Sequence, residues 1–173
     1  SSTHGEQTGE MIAEIESVLE SERPDVVLVQ GDTNSVLAGS IAATKMDGIK
    51  VGHVEAGLRS FDREMPEEVN RRLADHAADH RFAPTETSRD QLLSEGLSDE
   101  WITVTGNTIV DAVQQNVEIA HERSRILSEL DLDGPFALLT AHRAENVDDR
   151  DRFGELLDSV ANAADKHDLP VVY

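Results

Sequence analysis

Apolar residues recur along this chain at two periods, and stretches of the two periods alternate. Met11, Ile12, Ile15, Val18 and Leu19 fall at helical spacing until Pro24 breaks the pattern. Val26 to Val29 is a continuous aliphatic run, as strands buried in parallel sheets read. Asp32-Thr33 is placed to cap a helix through Val36, Leu37, Ile41 and Ala42 to about Met46, with Gly48 ending it. Ile49 to Val54 predicts a second strand and Ala56 to Met65 a loop. Pro66 suits the first position of a helix to about Ala78, where Glu67 and Glu68 favour the helix dipole. His80 to Ala83 predicts a third strand, stopped by Pro84. Thr85 or Thr87 then caps a helix through Leu93, ended by Gly96. Trp101 to Thr105 reads as a fourth strand and Thr108 to about Leu130 as a long helix. After the Gly134-Pro135 turn come a fifth strand (Phe136 to Thr140), a helix (Asp148 to Lys166) and the start of a sixth strand at Val171 to Tyr173.

Strict strand–helix alternation implies an α/β protein with a parallel sheet and right-handed crossovers. The natural boundary lies near Asn107. Residues 108–173 hold about two strands and one long helix, too little to close a core alone. The expected organisation is therefore a fragment: 1–107 as the later part of one domain, 108–173 as a connecting helix and the opening of a second.

Composition narrows the function classes. The chain has 35 acidic and 15 basic residues, a formal net charge of −20. Such a surface repels phosphate backbones, which argues against nucleic acid as a partner. Its simplest reading is a solvated acidic surface. A sharper one is a halophilic proteome, in which concentrated salt screens the repulsion. There is no cysteine, hence neither a disulfide nor a thiolate metal site. No apolar run approaches the ~20 residues that span a bilayer.

In open parallel sheets, ligands bind beyond the carboxyl ends of the strands. Asp32 follows the first strand, Glu55 the second and His142 the fifth, while Glu67 opens the helix after the second strand's loop. Each has a plainer reading. Asp32 fits an N-cap, Glu55 a partner for Arg59, Glu67 and Glu68 first-turn dipole residues, and His142 a strand-end histidine bonded to backbone. His76 and His80 have the spacing of a helical metal pair, but the acid of an H-E-x-x-H motif is missing and His80 falls in a strand, so no metal is expected. There is no G-x-S-x-G, G-x-G-x-x-G or Walker loop.

The stretches VQGDTNSVLAGSIAA, VGHVEAGLRSFDREMPEEVNRR, FAPTETSRDQLL, VTGNTIVDA and LLTAHRAEN, in this order, resemble the non-hydrolysing UDP-N-acetylglucosamine 2-epimerases. The resemblance implies two Rossmann-like domains in the glycosyltransferase-B arrangement, incomplete in this chain. It implies interconversion of UDP-GlcNAc and UDP-ManNAc by elimination and re-addition of UDP, without cofactor or metal. By motif match, Asp32, Glu55 and Glu67 resemble the family's catalytic carboxylates. His142 resembles the residue that contacts the UDP leaving group, and Arg143 lies where the phosphates are expected. A cytoplasmic enzyme of cell-surface polysaccharide synthesis, homodimeric when complete and inactive as this piece alone, is the corresponding expectation. The loop from Leu58 to Glu67 is shorter and less aromatic than in some bacterial members, which keeps a modified UDP-HexNAc, such as a 2,3-diacetamido uronate, open as substrate. The motifs also suit a hydrolysing relative that releases ManNAc, or a non-catalytic nucleotide-sugar-binding module.

Overall fold

The computed structural model describes residues 3–142 and 144–173, without the side chains of residues 144 and 145. It divides into two compact units, 1–113 and 114–173, which meet within one helix.

The first unit begins with α1 (His4–Glu22), opened by a capping box in which Thr3 and Glu6 bond each other's backbone amides. It closes at Arg23, whose left-handed conformation turns the chain towards β1 (Val26–Gln30). There follow α2 (Asn34–Thr44), β2 (Lys50–Val54), α3 (Pro66–Ala77), β3 (His80–Ala83), α4 (Glu86–Ser94), a single 3-10 turn at Asp99–Trp101, and β4 (Ile102–Val104). The next helix, α5 (Thr108–Arg123), carries the chain into the second unit. Pro66 takes the first turn of α3, where its missing N–H costs nothing. Thr85, of the two threonines suited to cap α4, is the one that does so, accepting from the Ser88 amide at 3.1 Å. Thr33 flanks α2 but makes no capping bond, its hydroxyl facing Ser35 instead.

The four strands pair in parallel in the order β1-β2-β3-β4. Sequential order with crossovers of one hand lays the connecting helices on one face of the sheet. That face holds the core: Leu19, Val29, Val36, Ala42, Ala43, Ile49, Val51, Ala74 and Ala78, with a second cluster of Ala56, Ala83, Leu92 and Ile102 under α4. Among the described residues, the opposite face is open. Burial in β1 consequently alternates rather than running continuously as its sequence suggested: Val29 is buried, while Val26 and Leu28 are 52% and 65% exposed. With Phe82 and Trp101 they line an open groove on that face.

The second unit contains α6 (Ile126–Glu129), β5 (Ala137–Leu138), α7 (Ala144–Val147), α8 (Arg150–His167) and β6 (Val171–Val172). β5 and β6 are parallel neighbours. The long helix expected to Leu130 is broken at residues 124–125 into α5 and α6. A short helix, α7, precedes α8, which Asp149 caps through the amides of Asp151 and Arg152. Among the described residues no helix is long and apolar enough to cross a membrane.

Candidate functional site

Two parallel strands that lie side by side end in carboxylates. β1 runs into Gln30-Gly31-Asp32 and β2 into Val54-Glu55. Gly31 makes the turn at φ 85°, and its amide donates to the Val54 carbonyl at 3.1 Å, which locks the two strand ends together. Glu55 itself adopts φ 67°, a left-handed conformation uncommon for a residue with a Cβ. Strain of this kind collects where a loop must aim a side chain. The Glu55 carboxylate accepts from the Gln30 side-chain amide at 2.9 Å, so one strand end holds the acid of the other.

Asp32 is fixed from α3. Arg71 donates to its Oδ2 from Nε at 2.9 Å and from Nη2 at 2.6 Å, and Asn70 donates to its backbone carbonyl at 2.9 Å. Glu67 sits exposed in the first turn of the same helix. Asp32, Glu55 and the helix that Glu67 opens are thus brought together at the carboxyl edge of the sheet. His142 lies exposed in the second unit, on the segment after β5. Arg143 lies outside the described residues.

The neighbour of Glu67 has a different place from the dipole role its position suggests. Glu68 is fully buried. Its Oε2 accepts from the Ser60 amide at 2.8 Å, the Ser60 hydroxyl at 3.1 Å and Arg71 at 3.3 Å, and its Oε1 from Arg72 at 3.0 Å. Burial alone would raise its pKa; the Ser60 amide, Arg72, the Ser60 hydroxyl and Arg71 outweigh it and pull the pKa down to about 2.

Glu68 is one link in a longer run of ion pairs. Asp32 pairs with Arg71, Arg71 with Glu68, Glu68 with Arg72, and Arg72 with Glu95. Glu95 pairs with Arg59, Arg59 with Asp75, and Asp75 with His53. The run returns to its start, because His53 Nε2 lies 2.9 Å from the carbonyl oxygen of Gly31, the residue before Asp32. The loop after β2 hangs from this circuit: Gly57 donates its amide to Asp75 and Ser60 donates to Glu68. Gly57 has φ 82°, and a Cβ there would strike the Ser88 carbonyl, so the loop crosses α4 at a distance only glycine permits.

Arg59 therefore belongs to Asp75 and Glu95, not to Glu55. Its burial would lower its pKa, but the bond to Glu95 and the charge of Asp75 raise it. Glu95 is correspondingly held below the usual carboxylate range, first by Arg59. Sequence position assigned Arg59 only to Glu55 and did not single out His53, Arg72, Asp75 or Glu95. The one local signal was the placement of Arg71 and Arg72 three and four residues after Glu68, one helical turn on. His76 and His80 are drawn to separate partners, the Arg72 carbonyl and the Thr103 hydroxyl.

Residues 1–173 match the family model described as UDP-N-acetylglucosamine 2-epimerase. A UDP-N-acetylglucosamine 2-epimerase of Methanococcus maripaludis is 51% identical over 176 residues, covering 100% of this chain and 48% of that protein. A UDP-2,3-diacetamido-2,3-dideoxy-D-glucuronate 2-epimerase of Pseudomonas aeruginosa is 41% identical over 158 residues, covering 91% and 44%. Among solved structures, the Methanocaldococcus jannaschii UDP-GlcNAc 2-epimerase in complex with UDP-GlcNAc and UDP superposes with a TM-score of 0.90 at 50% identity, covering 99% of this chain and 47% of that one. The chain spans about half the length of the relatives it matches.

Proposed function

Because the chain belongs to the UDP-N-acetylglucosamine 2-epimerase family, we propose that the protein carrying it interconverts UDP-GlcNAc and UDP-ManNAc. The observation that carries the proposal is the pair of carboxylates, Asp32 and Glu55, on the carboxyl ends of adjacent parallel strands inside a family match that covers the whole chain. The C2 proton of the sugar is weakly acidic, so a positioned carboxylate has to take it as the C1–O bond breaks. UDP leaves with the electron pair of that bond, and 2-acetamidoglucal, with a C1–C2 double bond, remains. UDP then adds back at C1 while an acid delivers a proton to the other face of C2. Asp32, Glu55 and Glu67 are the proposed carboxylates. His142 is the proposed contact to departing UDP, where a donor stabilises growing charge, and Arg143 is proposed for its phosphates.

Residues 1–107 are read as the later part of a first Rossmann-like domain and 108–173 as the connecting helix and opening of a second. The same reading makes the whole protein a cytoplasmic homodimer serving cell-surface polysaccharide synthesis. The 173-residue chain alone is expected to be inactive, since it spans about half of its relatives' length, and turnover by it would overturn that part.

Proton NMR of the full-length protein with UDP-GlcNAc in D2O tests the reaction. UDP-ManNAc appearing with deuterium at C2 is the expected result. Free ManNAc accumulating instead would replace the epimerase by a hydrolysing enzyme. The 41% identity to the Pseudomonas protein favours a second substrate, a UDP-2,3-diacetamido uronate. The same measurement with that sugar decides between them by which one exchanges its C2 proton faster.

A further inference from the structure

His53 is fully buried on β2, and the proposed chemistry gives it no part. Its Nδ1 is 2.7 Å from Asp75 Oδ1 and its Nε2 is 2.9 Å from the Gly31 carbonyl oxygen. The carbonyl can only accept. The other oxygen of Asp75 accepts from the Gly57 amide at 3.2 Å and lies 2.7 Å from Arg59 Nη1, both of them donors. The guanidinium of Arg59 against it favours the ionised carboxylate, in which Oδ1 is an acceptor too. Each imidazole nitrogen thus faces an acceptor, and donating to both requires a proton on both.

The alternation of charge along the circuit accommodates the same state. From Asp32 through Arg71, Glu68, Arg72, Glu95 and Arg59 to Asp75 the signs alternate, beginning and ending on an anion. A cationic His53 continues the alternation beyond Asp75. A neighbouring cation, Arg81, opposite His53 in β3, feels the Asp75 charge but gives its hydrogen bonds to the backbone carbonyls of Asp75, Ala78 and Asp79, which leaves Oδ1 to His53.

We propose that His53 and Asp75 are positioning residues: a buried imidazolium–carboxylate pair that fixes the Gly31 carbonyl, and with it the Asp32 turn, against the Glu55 loop. One carboxylate anchors both loops, the first through His53 and the second through the Gly57 amide. The proposal rests on the epimerase reading, in which Asp32 and Glu55 are among the carboxylates that work at C2. A misplacement of reacting groups by an ångström can cost about 100-fold in rate, so the pair sets kcat without touching substrate.

Two variants of the full-length enzyme separate positioning from bulk structure. His53→Gln retains an amide that reaches the Nε2 position and the Gly31 carbonyl. His53→Asn reaches only the Nδ1 position and leaves that carbonyl unpaired. Expected for His53→Asn is a fall in kcat of roughly 10- to 100-fold at little-changed KM for UDP-GlcNAc. Expected for His53→Gln is a kcat within about threefold of the parent, with both thermal midpoints lowered alike. Equal kcat in the two variants would overturn the positioning role. Nitrogen NMR of the parent enzyme labelled at histidine reads the ring directly, whatever the variants' folding: both His53 nitrogens should carry a proton, and a neutral tautomer would overturn the imidazolium. A parent enzyme that folds, shows this signature and leaves UDP-GlcNAc untouched would remove the epimerase reading and the positioning role with it, but not the charged pair.

Discussion

Arg71 donates twice to one oxygen of Asp32, from Nε at 2.9 Å and from Nη2 at 2.6 Å. The same guanidinium reaches Glu68 through Nη1 at 3.3 Å. A planar fork thus holds a proposed catalytic carboxylate in one orientation and ties it to a buried anion behind it. A lysine can satisfy the charge but not the fork. Arg71→Lys in the full-length enzyme should therefore lower kcat for C2 deuterium exchange by about tenfold or more, with KM moved less. Parent-like kcat in this variant would mean that Asp32 needs no such orientation.

Glu67 and Glu68 are adjacent in sequence and opposite in environment. Glu67 is exposed, so Glu67→Gln should change stability by no more than about 0.5 kcal/mol while abolishing most C2 exchange. Glu68 is buried among Ser60, Arg71 and Arg72. Glu68→Gln leaves those cations without their anion and should cost roughly 3 kcal/mol, read by chemical denaturation. If Glu67→Gln exchanges C2 hydrogen at the parent rate, the catalytic assignment of Glu67 falls.

Glu68 also sets a pH dependence. Its pKa is lowered from 4.5 to about 2 in the fold. A depressed carboxylate contributes stability that is fully present above its unfolded pKa and lost as pH falls through its folded one. Unfolding free energy should therefore decline between about pH 4.5 and pH 2 by on the order of 2 kcal/mol from this group. In Glu68→Gln the decline over that window should be shallower, leaving what Glu95 and Asp79, also lowered, contribute. Parallel curves for the two proteins would show that Glu68 is not held as the geometry indicates.

Much of the fold was legible because the strand and helix periods are clean and their ends carry chemical punctuation. His80 to Ala83 and the Pro66 helix start match the structure. The break between α5 and α6 carries no such mark: Ser124 and Arg125 are ordinary helix residues. The exposure of Val26 and Leu28 depends on which face the crossovers cover, which composition does not encode. Within the site, the carboxylates at strand ends could be read from position. The charged circuit could not, since Arg59 and Glu95 are 36 residues apart and His53 and Asp75 are 22 apart. Only packing of β2, α3 and the end of α4 unites them.

The net charge of −20 supplies the remaining test. The pairs of the circuit are largely buried and feel dissolved salt weakly, whereas the excess acids are surface groups that repel one another within a Debye length of ~10 Å at 0.1 M salt. At molar salt that length falls to about 3 Å, which removes most of the repulsion opposing the compact state. If the protein is built for a salt-rich interior, its thermal midpoint should climb steadily with KCl concentration up to the molar range. Replacing exposed acids of α1 such as Glu10, Glu14 and Glu20 by glutamine should raise the midpoint in dilute buffer and flatten the climb. Equal midpoints in dilute buffer and molar KCl would leave the acidic excess as solvated surface only.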